Sequence, residues 1–268
     1  MKKPKVSVIM GVYNPQMQRL IAAVDSLIRQ SFIDWELIIW DDGSDLVYAT
    51  QIAALSKRDF RIVCGRSERN QGLAKALNHC IRIAKGDYIA RMDDDDISLR
   101  FRLEKQFDYM EQQKDIAWVG TSAFLMDGNS IWGVRRMKEA PDAKDFLKYS
   151  PYIHPSVMFR KKVLLACKGY NNAEITRRCE DYELFMRLHM AGYQGRNMTE
   201  YLFVYREDSK SYVRRTCSAR VSEMKVRYWG FQKMGILEAR TVPYIFRPLL
   251  GFLIPAKWLV KIKRDEKT

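Results

Sequence analysis

The residues best equipped for chemistry lie in "YIARMDDDDIS" (Tyr88 to Ser98), where an apolar segment runs into four consecutive aspartates. Neighbouring carboxylates repel by about 1 kcal/mol per pair at 4 Å in water, and by about 4 kcal/mol at an effective dielectric of 20. The surrounding chain is basic, with 46 Lys+Arg against 32 Asp+Glu and a formal charge of +14. A helix start capped by Asp96 or Ser98 ahead of Leu99 accounts for one or two of the four, since carboxylates gain about 0.3–1 kcal/mol there. A calcium EF-hand loop is excluded, because Ile97 and Ser98 replace its fifth-position ligand and sixth-position glycine. What remains is a divalent-cation site with few protein ligands. Mg²⁺ or Mn²⁺ takes one or two carboxylates and completes its shell with water and substrate phosphates.

Other reactive types are scattered along the chain. Asp41, in "WDDGSD", either accepts a hydrogen bond from a nucleobase N–H or closes a turn. Glu180 and Asp181, in "RRCEDYELF", either supply a general base or form a favourable acidic first turn. His154 has no nearby His or Cys companion and reads as a pocket or packing residue, not a metal ligand. Tyr201, Tyr205 and Tyr212 read as core more readily than as sugar-stacking platforms. No GxGxxG and no GxxxxGK[ST] is present, so a diphosphate would be held by the metal and by basic side chains.

The elements that must position these residues follow from periodicity. "KVSVIMGVYN", "WELIIWDDGSD", "FRIVCG", "DYIARM" and "IAWVGT" are short apolar runs that read as buried strands. Between them, Leu20, Val24, Leu27 and Ile28 recur at helical spacing, as do Leu73, Leu77, Cys80, Ile81 and Ala84, and again Leu99, Leu103, Phe107 and Met110. Strands separated by helices imply a parallel sheet with right-handed crossovers. Asn14, Asp41, Asp42 and the acidic run all follow predicted strands, on the side of such a sheet where ligands bind. Downstream, "TSAFLMDGNSIWGVRRM" reads as a hairpin around Asp127-Gly128. "RRCEDYELFMRLHMAGY" reads as a helix with Leu184, Phe185 and Leu188 inward and Gly192 as its cap. No linker divides the chain, which predicts one continuous domain with a C-terminal extension.

Bulk properties narrow the class. With 268 residues, 47% hydrophobic and 29% charged, the chain is globular and can bury a substantial core. Five cysteines without a CxxC pair argue against a disulfide framework or zinc site and for a reducing cytoplasm. "MKKPKVSVIM" reads as a first strand, not a signal peptide. From Tyr205 to Thr268 there are 15 Lys+Arg against 6 Asp+Glu. That basic, aromatic-rich tail fits either contact with an anionic membrane surface or a core-packing helix with solvated lysines. No apolar stretch is long enough to span a bilayer. No nucleic-acid-binding signature is present, so nucleic acid is not an expected partner.

In chain order, "VSVIMGVYN", "DDGS", "NQGLAKALN", "GDYIARMDDDDIS…RLEKQ", "HPSVMFR", "GY", "EDYELFMRL" and "YR" resemble the family 2 glycosyltransferases, especially bacterial capsule, O-antigen and exopolysaccharide enzymes. The resemblance runs from about Lys5 to Arg206, and the ordered set is far more specific than any one piece. It implies a GT-A fold: α/β, a Rossmann-like, mainly parallel sheet flanked by helices, with a smaller mixed acceptor-side sheet and a helical C-terminal extension. Residues 1–206 would be the catalytic domain, 1–120 its nucleotide-sugar half and 121–206 its acceptor half, with 207–268 the extension.

By the same resemblance, Val12, Tyr13, Asn14, Asp41, Asn70, Gly72, Lys75, Arg91, Asp93 and Asp94 would bind the donor, usually a uridine diphosphate sugar. Asp95, with Asp93, would hold Mn²⁺ or Mg²⁺. Asp181 would be the catalytic base. Glu180, His154, Tyr205 and Arg206 would border the acceptor or the donor phosphates. The implied reaction is an inverting, metal-dependent transfer to a saccharide, lipid-linked at the cytoplasmic membrane face. Relatives commonly have "DADD" and "LPxRL" where this chain has "DDDD" and "LRFRL", which leaves the assignments inside the run open. The QxxRW motif of processive members is absent, implying one sugar per encounter. Two rivals are a sugar-phosphate nucleotidyltransferase, whose glycine-rich basic opening loop is not seen, and a non-catalytic nucleotide or polysaccharide-binding module.

Overall fold

The computed structural model describes residues 3–208 and 216–253. Its first half is the predicted alternation: β1 (Val6–Val12), α1 (Met17–Ile28), β2 (Trp35–Asp41), α2 (Leu46–Ala54), β3 (Ile62–Arg66), α3 (Leu73–Ile83) and β4 (Tyr88–Arg91). β1 lies between β2 and β4, and β3 lies outside β2, all parallel. Alternate residues of these strands feed two cores. Ile9, Ile38 and Ile89 pack with Leu77 and Cys80 of α3, while Val8, Met10, Leu37 and Ile39 pack with Leu20, Val24 and Leu27 of α1. Burial on both faces is why these segments read as continuous apolar runs.

The second half contributes β5 (Ile97–Ser98), α4 (Arg102–Gln112), β6 (Ile116–Asp127), β7 (Ser130–Arg135), β8 (Met158–Arg160), α5 (Lys161–Ala166), α6 (Glu180–Met190), β9 (Gln194–Arg206), α7 (Cys217–Lys233) and α8 (Val242–Leu253). The expected smaller mixed sheet does not stand apart. Among the described residues, nine strands form one sheet in the order β3-β2-β1-β4-β8-β6-β9-β5, with β7 paired to β6. β8 inserts antiparallel between β4 and β6, so the fifth predicted strand is not a direct neighbour of the fourth. The β6–β7 hairpin turns at Asp127 and Gly128 as expected.

The helix expected from Leu99 begins at Arg102. Ile97 and Ser98 pair instead with Val204 and Phe203 of β9, and the Asp96 carboxylate accepts the Arg206 backbone N–H at 2.7 Å. Neither Asp96 nor Ser98 therefore caps a helix, because the backbone around them is committed to the sheet.

α6 buries Leu184, Phe185 and Leu188 as expected, and Gly192 follows it at φ 82°, a left-handed position that favours glycine. The C-terminal helices dock on the same side of the sheet: Val226, Phe231, Ile236 and Ile245 join the core beside α6. The buried Arg227 donates to Glu223 and to the Leu147 carbonyl at 2.9 Å. No helix among the described residues is long and apolar enough to cross a membrane. Tyr212 and the basic segment 254–268 lie outside the described residues.

Candidate active site

The ends of β1 and β2 are clasped together. Asn14, in the left-handed region at φ 45°, receives the Asp45 backbone N–H at 2.9 Å on its side chain. Its own N–H donates to Ser44 Oγ at 2.9 Å, which fixes the segment carrying Val12 and the half-exposed Tyr13. Asp41 is buried; one oxygen accepts the Ser44 N–H at 2.8 Å, and the other faces Arg66 Nη1 at 3.1 Å without hydrogen-bond geometry. A buried carboxylate oxygen of that kind suits an incoming N–H donor.

Asp42, placed on the ligand side of the sheet but given no role of its own, accepts the Gln71 and Gly72 backbone N–H groups, at 3.0 and 2.7 Å. It thereby shapes the Asn70–Gly72 turn at the start of α3, from which Lys75 projects. Burial pushes the Asp42 carboxyl above its usual range, the two N–H groups opposing the shift. Asp42's place in the "DDGS" doublet was the available signal.

The acidic run follows β4, and three of its four members have different partners. Asp93 pairs with Arg91. Asp95 stands 3.9 Å from Arg19, which is itself held by Asp208 at 2.7 Å. Asp96 is fully buried on the Arg206 amide, and the Arg206 guanidinium donates to the Asp95 carbonyl at 2.9 Å. Behind the run lie two buried guanidiniums. Arg91 leaves Nε and Nη1 without hydrogen-bond partners. Arg102, the first residue of the "RLEKQ" piece but given no role there, donates to the Arg91 carbonyl at 2.8 Å. Burial lowers Arg102 to about 9.

Burial and then neighbouring carboxylates push Asp94 up to about 7 and Asp95 up to about 6, while Asp96 rises well above the carboxylate range for the same reasons. Carboxyls that repel one another in this way fit a cation, and their hard oxygens fit Mg²⁺ or Mn²⁺. Asp93, Asp94 and Asp95 are all partly exposed, and Asp96 is buried.

Tyr205 and Arg206, expected to border the acceptor or the donor phosphates, lie against the acidic run. They end β9, whose pairing with β5 carries them against the acidic run. Burial raises the Tyr205 phenol, and Asp96 and Asp93 add to the shift.

His154 is buried, its Nε2 2.7 Å from Tyr170 Oη, and burial followed by the Arg91 charge holds it well below the usual histidine range. Its partner Tyr170 ties the site together. Burial raises the Tyr170 phenol, which also feels the charges of Arg91, Asp181, Asp93 and Glu180. The acidic run and the start of α6 thus lie within electrostatic reach of one hydroxyl.

α6 opens with Glu180, Asp181 and Glu183, all at the positive end of its dipole. Burial, with Asp181 beside it, pushes Glu180 upward. The buried Glu183 makes two bonds to Arg187, at 2.9 and 3.0 Å, and Arg187 also donates to the Gly169 carbonyl at 2.8 Å. The "GY" and "EDYE" pieces are therefore joined by hydrogen bonds. A cavity of about 180 Å³ brings Asn70, Gly72 and Lys75 together with Glu180. A larger one, of about 460 Å³, lies away from these groups between α1 and β5.

The family model for glycosyl transferase family 2 matches residues 7–167, more than half of the chain. The chain belongs to glycosyltransferase family 2. This glycosyltransferase is 35% identical over 256 residues to the putative glycosyltransferase EpsE of Bacillus subtilis, covering 94% of this chain and 91% of EpsE. It is 28% identical over 235 residues to an Escherichia coli UDP-Gal:alpha-D-GlcNAc-diphosphoundecaprenol beta-1,3-galactosyltransferase, covering 84% and 82% of the two chains. Its fold matches the crystal structure of S. aureus TarS 1-349 in complex with UDP-GlcNAc, with a TM-score of 0.63 at 15% identity over 91% of this chain and 79% of that one.

Proposed function

We propose that this glycosyltransferase moves a sugar from a uridine diphosphate sugar to a lipid-linked saccharide, with inversion, in building a cell-surface polysaccharide. The carrying observation is the two carboxylate groups about Tyr170: the acidic run at the end of β4 and Asp181 at the start of α6. The named substrates of the E. coli relative support the donor and acceptor classes. Asp41, with an oxygen facing only Arg66, would accept the nucleobase N–H. Asn14, Asn70 and Gly72 would complete that end of the donor site, and Lys75 would approach it from α3.

Asp95, with Asp93, would hold Mn²⁺ or Mg²⁺, which neutralises charge on the departing diphosphate. Asp181 takes the proton of the acceptor hydroxyl as its oxygen bonds to the anomeric carbon; the carbon–phosphate-oxygen bond breaks and its electron pair leaves with the nucleotide. Attack from the face opposite the leaving group gives inversion. Tyr228, Trp229 and Phe246, exposed on α7 and α8 beside Lys225 and Arg247, support contact with an anionic lipid surface.

Thermal unfolding with UDP, GDP and dTDP, with and without Mn²⁺, tests the donor reading. UDP at 100 times its Kd should stabilise by about 2.7 kcal/mol, a rise of several degrees. The rise should require Mn²⁺ and vanish in Asp95→Ala. No response to any of the three nucleotides, in folded protein, overturns the reading.

A further inference from the structure

The cavity of about 460 Å³ between α1 and β5 is lined by Ser26, Arg29, Ile97, Ser98, Leu99 and Arg100, and none of these belongs to the donor, metal or base assignments above. We propose that it binds an organic phosphate, with the phosphoryl group held by Arg29 and Arg100 and an apolar substituent resting on Ile97 and Leu99.

The volume falls within the roughly 300–1,000 Å³ of small-molecule sites, whose walls combine apolar side chains with a few placed polar groups. Two cations and no carboxylate line the cavity, which sets the sign of its ligand. Neither arginine forms an ion pair among the described residues. Arg29 follows α1, whose carbonyl end by itself favours a cation. Arg100 has no such reason for its place. It stands just ahead of α4, at the positive end of that dipole, where an anion is favoured and a cation is not. Its guanidinium lies 5.7 Å from the half-exposed Phe101 ring, a contact that leaves its N–H fork available to a phosphate.

Ser98 gives an independent sign. Its N–H donates to Ser26 Oγ at 3.0 Å, and its carbonyl accepts Gln30 Nε2 at 3.2 Å. The hydroxyl is left over: Ser98 is 2% exposed, and its buried Oγ has no hydrogen-bond partner. An unpaired buried hydroxyl is costly, and a phosphoryl oxygen would accept its proton.

The walls are held before any ligand arrives. Gln30 also donates to the Leu99 carbonyl at 2.9 Å and accepts the Leu103 N–H at 3.1 Å. The Ser31 N–H bonds the Arg100 carbonyl at 2.9 Å. These bonds tie the end of α1 to the segment after β5, so binding has little left to order.

Isothermal titration calorimetry tests the assignment with hexyl phosphate, inorganic phosphate and hexanol. Hexyl phosphate should bind at least tenfold more tightly than either of the others, and should still bind in saturating UDP with Mn²⁺. Its affinity should fall about tenfold in Arg29→Ala, Arg100→Ala and Ser98→Ala. Both arginines are exposed, so their variants keep the test available if Ser98→Ala fails to fold. No binding of hexyl phosphate, equal binding of inorganic phosphate or hexanol, displacement by UDP, or affinity unchanged in the folded arginine variants overturns the proposal. Sedimentation with phosphatidic acid vesicles, against phosphatidylcholine vesicles, separates two sources of the phosphate. Pelleting lost in the Arg29→Ala/Arg100→Ala double variant gives a bilayer source. Pelleting absent, or unchanged in that variant, with hexyl phosphate bound as expected, gives a freely diffusing ester.

Discussion

At the β4 end of the cleft, four carboxylates crowd onto one loop above two buried guanidiniums, Arg91 and Arg102. At the α6 end, Asp181 begins a helix whose dipole favours its charge, with the Glu183–Arg187 pair behind it. The first arrangement is electrostatically costly and is offset from inside the fold. The second needs only local helix geometry and a brace. Changes at the first end should therefore act on stability and donor binding together, whereas changes at the second should separate catalysis from folding.

The sharpest break of that contrast is Asp181→Asn. Transfer should fall by about 10²–10⁴-fold, the usual worth of a general base. UDP affinity and unfolding midpoint should stay near wild type, as checked by turnover and by nucleotide titration. Unchanged transfer would remove Asp181 as the base.

Arg91→Leu should act the other way. It strips a buried cation from Asp93 and should cost about 3–5 kcal/mol in urea unfolding. Adding Asp93→Asn should recover part of that loss, since the two residues are in contact.

A smaller effect comes from the far end of α6. Burial holds His189 at about 4, with Asp142 opposing the shift and Tyr152 Oη 3.1 Å from its Nε2. Between pH 6.5 and about 4 the unfolded chain takes a proton that the folded chain refuses, so this contribution to stability is lost as pH falls. At one pKa unit per 1.36 kcal/mol, the loss reaches at most about 3 kcal/mol near pH 4. The difference in stability between wild type and His189→Gln should shrink across that range by this amount. The smallest effect is expected for Glu183→Gln, about 1–3 kcal/mol, through loss of charge-assisted bonds to Arg187. Its kcat should fall less than that of Asp181→Asn.

Legibility in the sequence followed the range of the interactions. The parallel strands, α3, α6 and the Asp127-Gly128 hairpin were readable because apolar period and turn residues are local signals. The start of α4 was misplaced because Ile97 and Ser98 are claimed by β9, more than a hundred residues later. Which border Tyr205 and Arg206 would serve stayed open for the same reason: their distance from the acidic run is set by that pairing. Asp42 and Arg102 fell inside the quoted segments but were given no role, because what they do is hold backbone groups, and no spacing rule marks such residues.

The sequence by itself determined the class of chemistry, since four adjacent carboxylates in a basic chain need a counter-charge wherever they are placed, and ordered motifs carry the family. It also determined the two-sided core, because strand and helix periods are properties of nearest neighbours. Only the tertiary structure decided which aspartate turns inward, that both acidic groups come within electrostatic reach of Tyr170, and that the Asn171–Arg177 loop closes a cavity against α3. Those outcomes depend on burial and on long-range pairing, energies that arise only once distant segments share one dry interior.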